Sequence, residues 1–120
     1  MSQTILLVDD DDTVRELFAR MLRSDYDVLE ASSSTQARQR FDEHQGRIDL
    51  VICDVVMPGG NGPQLAEALI TVDPDLRLLY VSGYPPDEVL PGYPAPHIEF
   101  LQKPFSARQL AARVASLLSN

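Results

Sequence analysis

The sequence holds a single cysteine, Cys53, so no disulfide can close within it, and a lone thiol fits a reducing compartment. Long apolar runs are missing: none approaches the ~18 residues of a membrane span, and the first residues have neither the basic nor the apolar region of a signal peptide. Basic charge is scarce. Ten Lys and Arg stand against 18 Asp and Glu, for a formal net charge of −8. Gripping nucleic acid needs clustered Lys and Arg, so the balance speaks against that role. Internal repeats and linkers are absent, and His44 and His97 share no metal-ligand spacing. The 120 residues fit one domain, 1–120, and an apolar share of 44% with 23% charged residues is that of an ordinary globular protein. The expectation is a cytoplasmic domain without membrane contact.

A surplus of surface carboxylates accounts for most of the charge, but not for the run Asp9, Asp10, Asp11 and Asp12. Four adjacent acids repel one another unless a cation or solvent compensates. The run ends a short apolar stretch, Ile5 to Val8, of the kind that makes a buried parallel strand. Val14, Leu17, Phe18, Met21 and Leu22 then fall on one helical face. Asp12 or Thr13 is placed to cap that helix, with Thr13 and Glu16 at capping-box spacing.

The alternation repeats. Strands are expected at Val28 to Ala31, Leu50 to Cys53, Leu78 to Val81 and Ile98 to Leu101. Between them come a helix opened by Ser33 and Gln36, another capped by Asn61, and a last one opened by Ser106 and Gln109. Such alternation predicts an α/β fold, a five-stranded parallel sheet doubly wound by helices. The second and fifth strands carry Glu30 and Glu99, and edge strands tolerate charge better than central ones. The spatial order is therefore 2-1-3-4-5, the flavodoxin-like arrangement.

Ligands of such sheets bind beyond the carboxyl ends of the strands, near the switch in strand order. There the sequence places Asp9 and Asp10, Asp54, Ser82 and Lys103. Like charges ~4 Å apart repel by roughly 4 kcal/mol at an effective dielectric of 20, which a hard divalent cation relieves. A carboxylate beside such an ion can attack phosphorus, while Lys103 and Ser82 are suited to the phosphoryl oxygens. Singly, an acid at a strand end is more often a cap, Lys103 a solvated loop residue and Ser82-Gly83 a turn. Cys53 reads as a small core residue. The joint occurrence at four strand ends carries the argument.

Val8-Asp9-Asp10-Asp11, Asp54-Val55-Val56-Met57-Pro58-Gly59, Ser82-Gly83-Tyr84 and Lys103-Pro104-Phe105 resemble the signature segments of response-regulator receiver domains, over a core of about residues 4–118. The resemblance implies that Asp54 takes a phosphoryl group from a histidine kinase or histidine phosphotransfer protein. It implies Mg²⁺ (or Mn²⁺) held directly by Asp10, Asp54 and the Val56 carbonyl, with Asp9 acting mainly through water. Ser82 stands at the switch hydroxyl and Phe100 at the switch aromatic, with Val56 and Tyr84 at positions that tune phosphoryl lifetime. The stretch Glu99 to Ser106 is similar to receivers fused to hybrid sensor histidine kinases, which implies a place in a larger kinase. By itself such a domain is no enzyme beyond assisting its own phosphorylation and dephosphorylation.

Two other readings fit less well. An aspartyl phosphatase or phosphotransferase wants an acid two residues after its nucleophile, where this chain has Val56. A pseudo-receiver would not keep Asp9, Asp10, Asp54, Ser82 and Lys103 together. Five of the nine prolines lie between Pro85 and Pro96, where the family has its fourth helix. The expectation there is at most one helical turn, Asp87 to Leu90, and a monomer whose usual dimer face is altered.

Overall fold

Apolar side chains alternate from face to face along each central strand, and a pair of helices covers each face. The structure, a computed structural model, describes residues 3–44, 46–57, 60–86 and 98–119, with the backbone alone at Gly60 and Asn61. The elements are β1 (Thr4–Val8), α1 (Asp12–Leu22), β2 (Asp27–Ala31), α2 (Ser34–Glu43), β3 (Leu50–Asp54), β4 (Val56–Met57), β5 (Gly60–Asn61), α3 (Gly62–Val72), β6 (Arg77–Ser82), β7 (Ile98–Gln102) and α4 (Ala107–Leu118). Five strands form a parallel sheet in the order β2-β1-β3-β6-β7. With β6 and β7 as the fourth and fifth long strands, this is the expected order.

Ile5, Leu7, Leu50, Ile52, Leu79, Val81 and Leu101 pack with Ala19 and Leu22 of α1 and Leu110, Val114 and Leu117 of α4. Their neighbours in sequence, Leu6, Val8, Val51, Cys53, Leu78, Tyr80 and Phe100, pack with Ala37 and Phe41 of α2 and Leu65, Ala66 and Leu69 of α3. A parallel sheet buried on both faces needs such continuous apolar runs, each large side chain contributing about 1.5–3 kcal/mol of burial. The charged residues expected at the edges are there, and both are paired: Glu30 with Arg15 and Arg23, Glu99 with Arg113.

The helix starts correct the sequence in detail. Asp11, rather than Asp12 or Thr13, caps α1: its carboxylate accepts the Thr13 and Val14 amides, because the chain turns one residue earlier than the apolar stripe suggests. At α2 the Ser33 hydroxyl accepts the Gln36 amide as expected, but the Gln36 side chain reaches back to Ser32 rather than Ser33. Ser106 and Gln109 make the full reciprocal box at α4. A short antiparallel hairpin was not anticipated: Val56 pairs with Asn61 and Met57 with Gly60, immediately before α3. The expected turn at Asp87 to Leu90, and His97, lie outside the described residues.

Candidate functional site

Register brings the acids together. Val8 lies beside Cys53 in the β1–β3 pairing, so Asp9 and Asp54, each next in its chain, finish adjacent strands. Asp54 in turn pairs with Val81, leaving Ser82 one residue further along β6, and Ser82 pairs with Gln102, the residue before Lys103. The Lys103 amide donates to the Ser82 carbonyl at 2.7 Å, which fixes where the lysine leaves the sheet.

Carboxylate oxygens of Asp9, Asp10 and Asp54 lie within 4.8 Å of one another. The Lys103 ammonium donates to Asp54 Oδ2 at 3.2 Å and stands 3.8 Å from Asp9 Oδ2. The Val56 amide donates to Asp54 Oδ1 at 3.2 Å, so both oxygens of this carboxylate have a donor. Asp9 Oδ1 accepts the Asp11 amide at 2.9 Å, but its Oδ2 is buried and has no hydrogen-bond partner among the described residues. Three carboxylates thus face one ammonium, with one oxygen orphaned at the focus. That donor set of hard oxygens, under-neutralised and partly unsatisfied, fits a hard divalent cation.

Burial dominates the titration of Asp9, which is 1% exposed, and pushes its carboxyl above the ordinary value, against the opposing pull of the Asp11 amide and Lys103. A carboxyl raised in the fold favours folding below its unfolded pKa, and that contribution is lost as pH rises through the raised folded value. At pH 7 without divalent cations, ionised Asp9 therefore works against the fold. Asp9→Asn is expected to melt a few degrees above the wild type at pH 7. The gap should narrow as pH falls from 7 toward 4, with wild-type Asp9 taking up its proton on the way. Thermal unfolding followed by circular dichroism across that range checks it. An Asn variant that melts lower at pH 7 would contradict the argument.

The remaining residues divide. Ser82 is buried, and its hydroxyl oxygen accepts the Tyr84 amide at 3.1 Å. Val56 and Tyr84 are 55% and 56% exposed, large apolar or aromatic side chains left in solvent near the acids. Phe100 sits away from them, buried in the α2–α3 side of the core with Tyr80 as its register partner, while Arg113 donates to its carbonyl at 2.8 Å. Cys53 is in the core, and burial pushes its thiol far above the ordinary value, so it is no nucleophile.

Sequence reasoning missed two features beside the acids. Gly62 opens α3 against the backbone of Asp54, and the guanidinium of Arg15 reaches the Asp9 carbonyl at 2.8 Å. A glycine after a Gly-Gly-Asn stretch looks like more loop, and nothing in helical spacing says that Arg15 bends back toward the strand end. Glu30 was a signal for the second, since a carboxylate on a strand with buried neighbours calls for a basic partner.

Known proteins resemble this chain over nearly its whole length. Sensor kinase CckA of Brucella abortus (strain 2308) is 43% identical over 119 residues, 98% of this chain but only 13% of the kinase. The response regulator receiver protein CpdR of the same organism is 30% identical over 116 residues, 95% of each chain. A crystal structure of the receiver domain from the hybrid histidine kinase CckA superposes with a TM-score of 0.84 at 37% identity, covering 96% of this chain and 98% of that one. Residues 5–115, from the first strand through most of the last helix, match the response regulator receiver domain, and the chain belongs to that family.

Proposed function

We propose that this domain accepts a phosphoryl group on Asp54 from a phosphohistidine of a histidine kinase or histidine phosphotransfer protein. The observation that carries the reading is the cluster itself: three carboxylates and one lysine at the ends of β1, β3 and β7. In the transfer, an Asp54 oxygen forms a bond to phosphorus as the phosphorus–nitrogen bond breaks, and the imidazole departs with the electron pair. Lys103 is placed to follow charge from Asp54 Oδ2 onto a phosphoryl oxygen. The Val56 amide keeps the other carboxylate oxygen aimed. Ser82 already accepts from Tyr84, so its own hydroxyl proton is left to donate to the phosphoryl group.

Asp10, Asp54 and the Val56 carbonyl would hold Mg²⁺ directly, with Asp9 bound through water. The cation would supply positive charge against the equatorial phosphoryl oxygens. Movement of the Ser82 hydroxyl toward phosphate, with Phe100 following, is the proposed switch. Because Phe100 is already buried, its travel is a repacking within the core rather than an entry from solvent. Val56 and Tyr84, both exposed, would act by obstructing water in line with phosphorus and so lengthen the life of the acyl phosphate. Likeness to a sensor kinase that the chain spans only in small part supports a place inside a larger, cytoplasmic hybrid kinase, with the domain acting as a monomer.

The test is direct. Incubated with Mg²⁺ and acetyl phosphate, the domain is expected to gain one phosphoryl group by intact mass, and none with the metal chelated. A domain that stays unlabelled at millimolar donor, or labels equally without metal, sinks the proposal.

A further inference from the structure

We infer that Arg15 is a positioning residue for the acid pair: its guanidinium fixes the peptide joining Asp9 to Asp10, and with it the direction of both carboxylates. Three of its nitrogens have three acceptors from three segments. Nη1 donates to the Asp9 carbonyl at 2.8 Å, Nε to Glu30 on β2 at 3.1 Å, and Nη2 pairs with Asp12 in the first turn of α1 at 2.8 Å. Glu30 is held from its other oxygen by Arg23 at 2.8 Å. The Arg15 side chain is 12% exposed, so these bonds are largely shielded from competing water.

The Asp9 carbonyl and the Asp10 amide belong to one rigid plane. The Asp9 amide is tied to the Ala31 carbonyl at 3.1 Å and the Asp9 side chain to the Asp11 amide. With Arg15 on its carbonyl, Asp9 is held at every polar group except Oδ2, the orphan that faces Lys103. Nothing comparable restrains Asp10 among the described bonds. Its direction is inherited through the shared peptide plane, and Arg15 is what sets that plane.

A charge effect and a positioning effect have opposite signs. As a cation near an acid cluster, Arg15 repels Mg²⁺, and its removal would tighten metal binding. As a positioning residue its removal weakens binding, by about ten-fold or more, as for other groups that orient metal ligands. Arg23 is the matched comparator. It carries the same charge and shares Glu30, but it is half exposed and its bond goes to Glu30 rather than Asp9.

The inference rests on the proposed metal site, and its test separates the two. Mg²⁺ would be titrated into ¹⁵N-labelled wild type, Arg15→Gln and Arg23→Gln, following the Asp10 and Val56 amide resonances, with thermal unfolding of each. Arg15→Gln is expected to bind about ten-fold more weakly. Arg23→Gln should stay within about twofold of the wild type, since exposed charges are screened. If Arg15→Gln binds Mg²⁺ as tightly as the wild type or more tightly, the inference is wrong while the metal site stands. A wild type whose amides ignore Mg²⁺ overturns both. Should Arg15→Gln not fold, Arg15→Lys decides. Lysine keeps the charge, but its donors radiate from one nitrogen and cannot span the three segments, so it too should bind more weakly. Wild-type affinity in that variant overturns the inference.

Discussion

Phosphorylation from acetyl phosphate is expected to vanish in Asp54→Asn and to slow by about 10²- to 10³-fold in Lys103→Ala, the usual loss when a preorganised charge donor is removed. The three acids are not equivalent candidates. Asp9 is buried, with one oxygen occupied by the Asp11 amide, and no donor could reach the other without opening the site. Asp10 is exposed but lies beyond the reach recorded for Lys103, whose ion pairs go to Asp54 and Asp9. Asp54 is 13% exposed, enough for one oxygen to meet phosphorus, and each oxygen is aimed by a donor. An amide at position 54 cannot form the acyl phosphate, so no added mass should appear. Lys103→Ala keeps the nucleophile and removes the only ammonium found with the acids among the described residues. It should therefore label at the same residue, slowly. Labelling of Asp54→Asn at the wild-type rate would remove Asp54 as acceptor, and a fast Lys103→Ala would remove the lysine from the transfer.

The parts of this site that could be read from sequence are those that punctuate a pattern. Apolar runs that stop at Asp9, Asp54, Ser82 and Lys103 mark strand ends, and strand ends converge because a parallel sheet aligns them. Glu30 and Glu99 marked the edges because a central strand buried on both faces has no room for a carboxylate. Spacing rules worked least well where backbone detail decides. The cap of α1 is Asp11 because the turn out of β1 is a single residue shorter than the apolar stripe implies. The hairpin of β4 and β5 has two residues on each side, too few for any period to register, and its glycines carry no strand signal. Arg15 and Glu30 are fifteen residues apart, and contacts made by long side chains across elements leave no trace in local periodicity.

Gly62→Ala is expected to lower the melting temperature by roughly 10 °C, corresponding to about 2–3 kcal/mol of overpacking. A Cβ at Gly62 would sit 2.5 Å from the Asp54 carbonyl oxygen, 3.0 Å from the Val55 Cα and 3.1 Å from the Cys53 sulfur. The first two obstacles are backbone, at Asp54 that ends the central strand β3 and at Val55 directly after it, so no side-chain rotation relieves the clash. The Gly62 amide also donates to the Val55 carbonyl at 2.9 Å, which ties the start of α3 to the turn after Asp54. Alanine is the better helix former by about 1 kcal/mol, so on propensity alone the substitution would stabilise. The steric term has to exceed that gain, and a backbone contact of 2.5 Å makes it do so. The accommodation available is to push α3 or the Asp54 peptide outward, and a displacement near 1 Å at the nucleophile costs about 10²-fold in a positioned reaction. Labelling by acetyl phosphate should therefore fall along with stability. Gly83→Ala supplies the control: it too borders the site, but a Cβ there meets nothing within 4 Å, and its melting temperature should be close to the wild type's. If Gly62→Ala melts with the wild type while Gly83→Ala does the same, the close approach of α3 to Asp54 is not what fixes the acceptor.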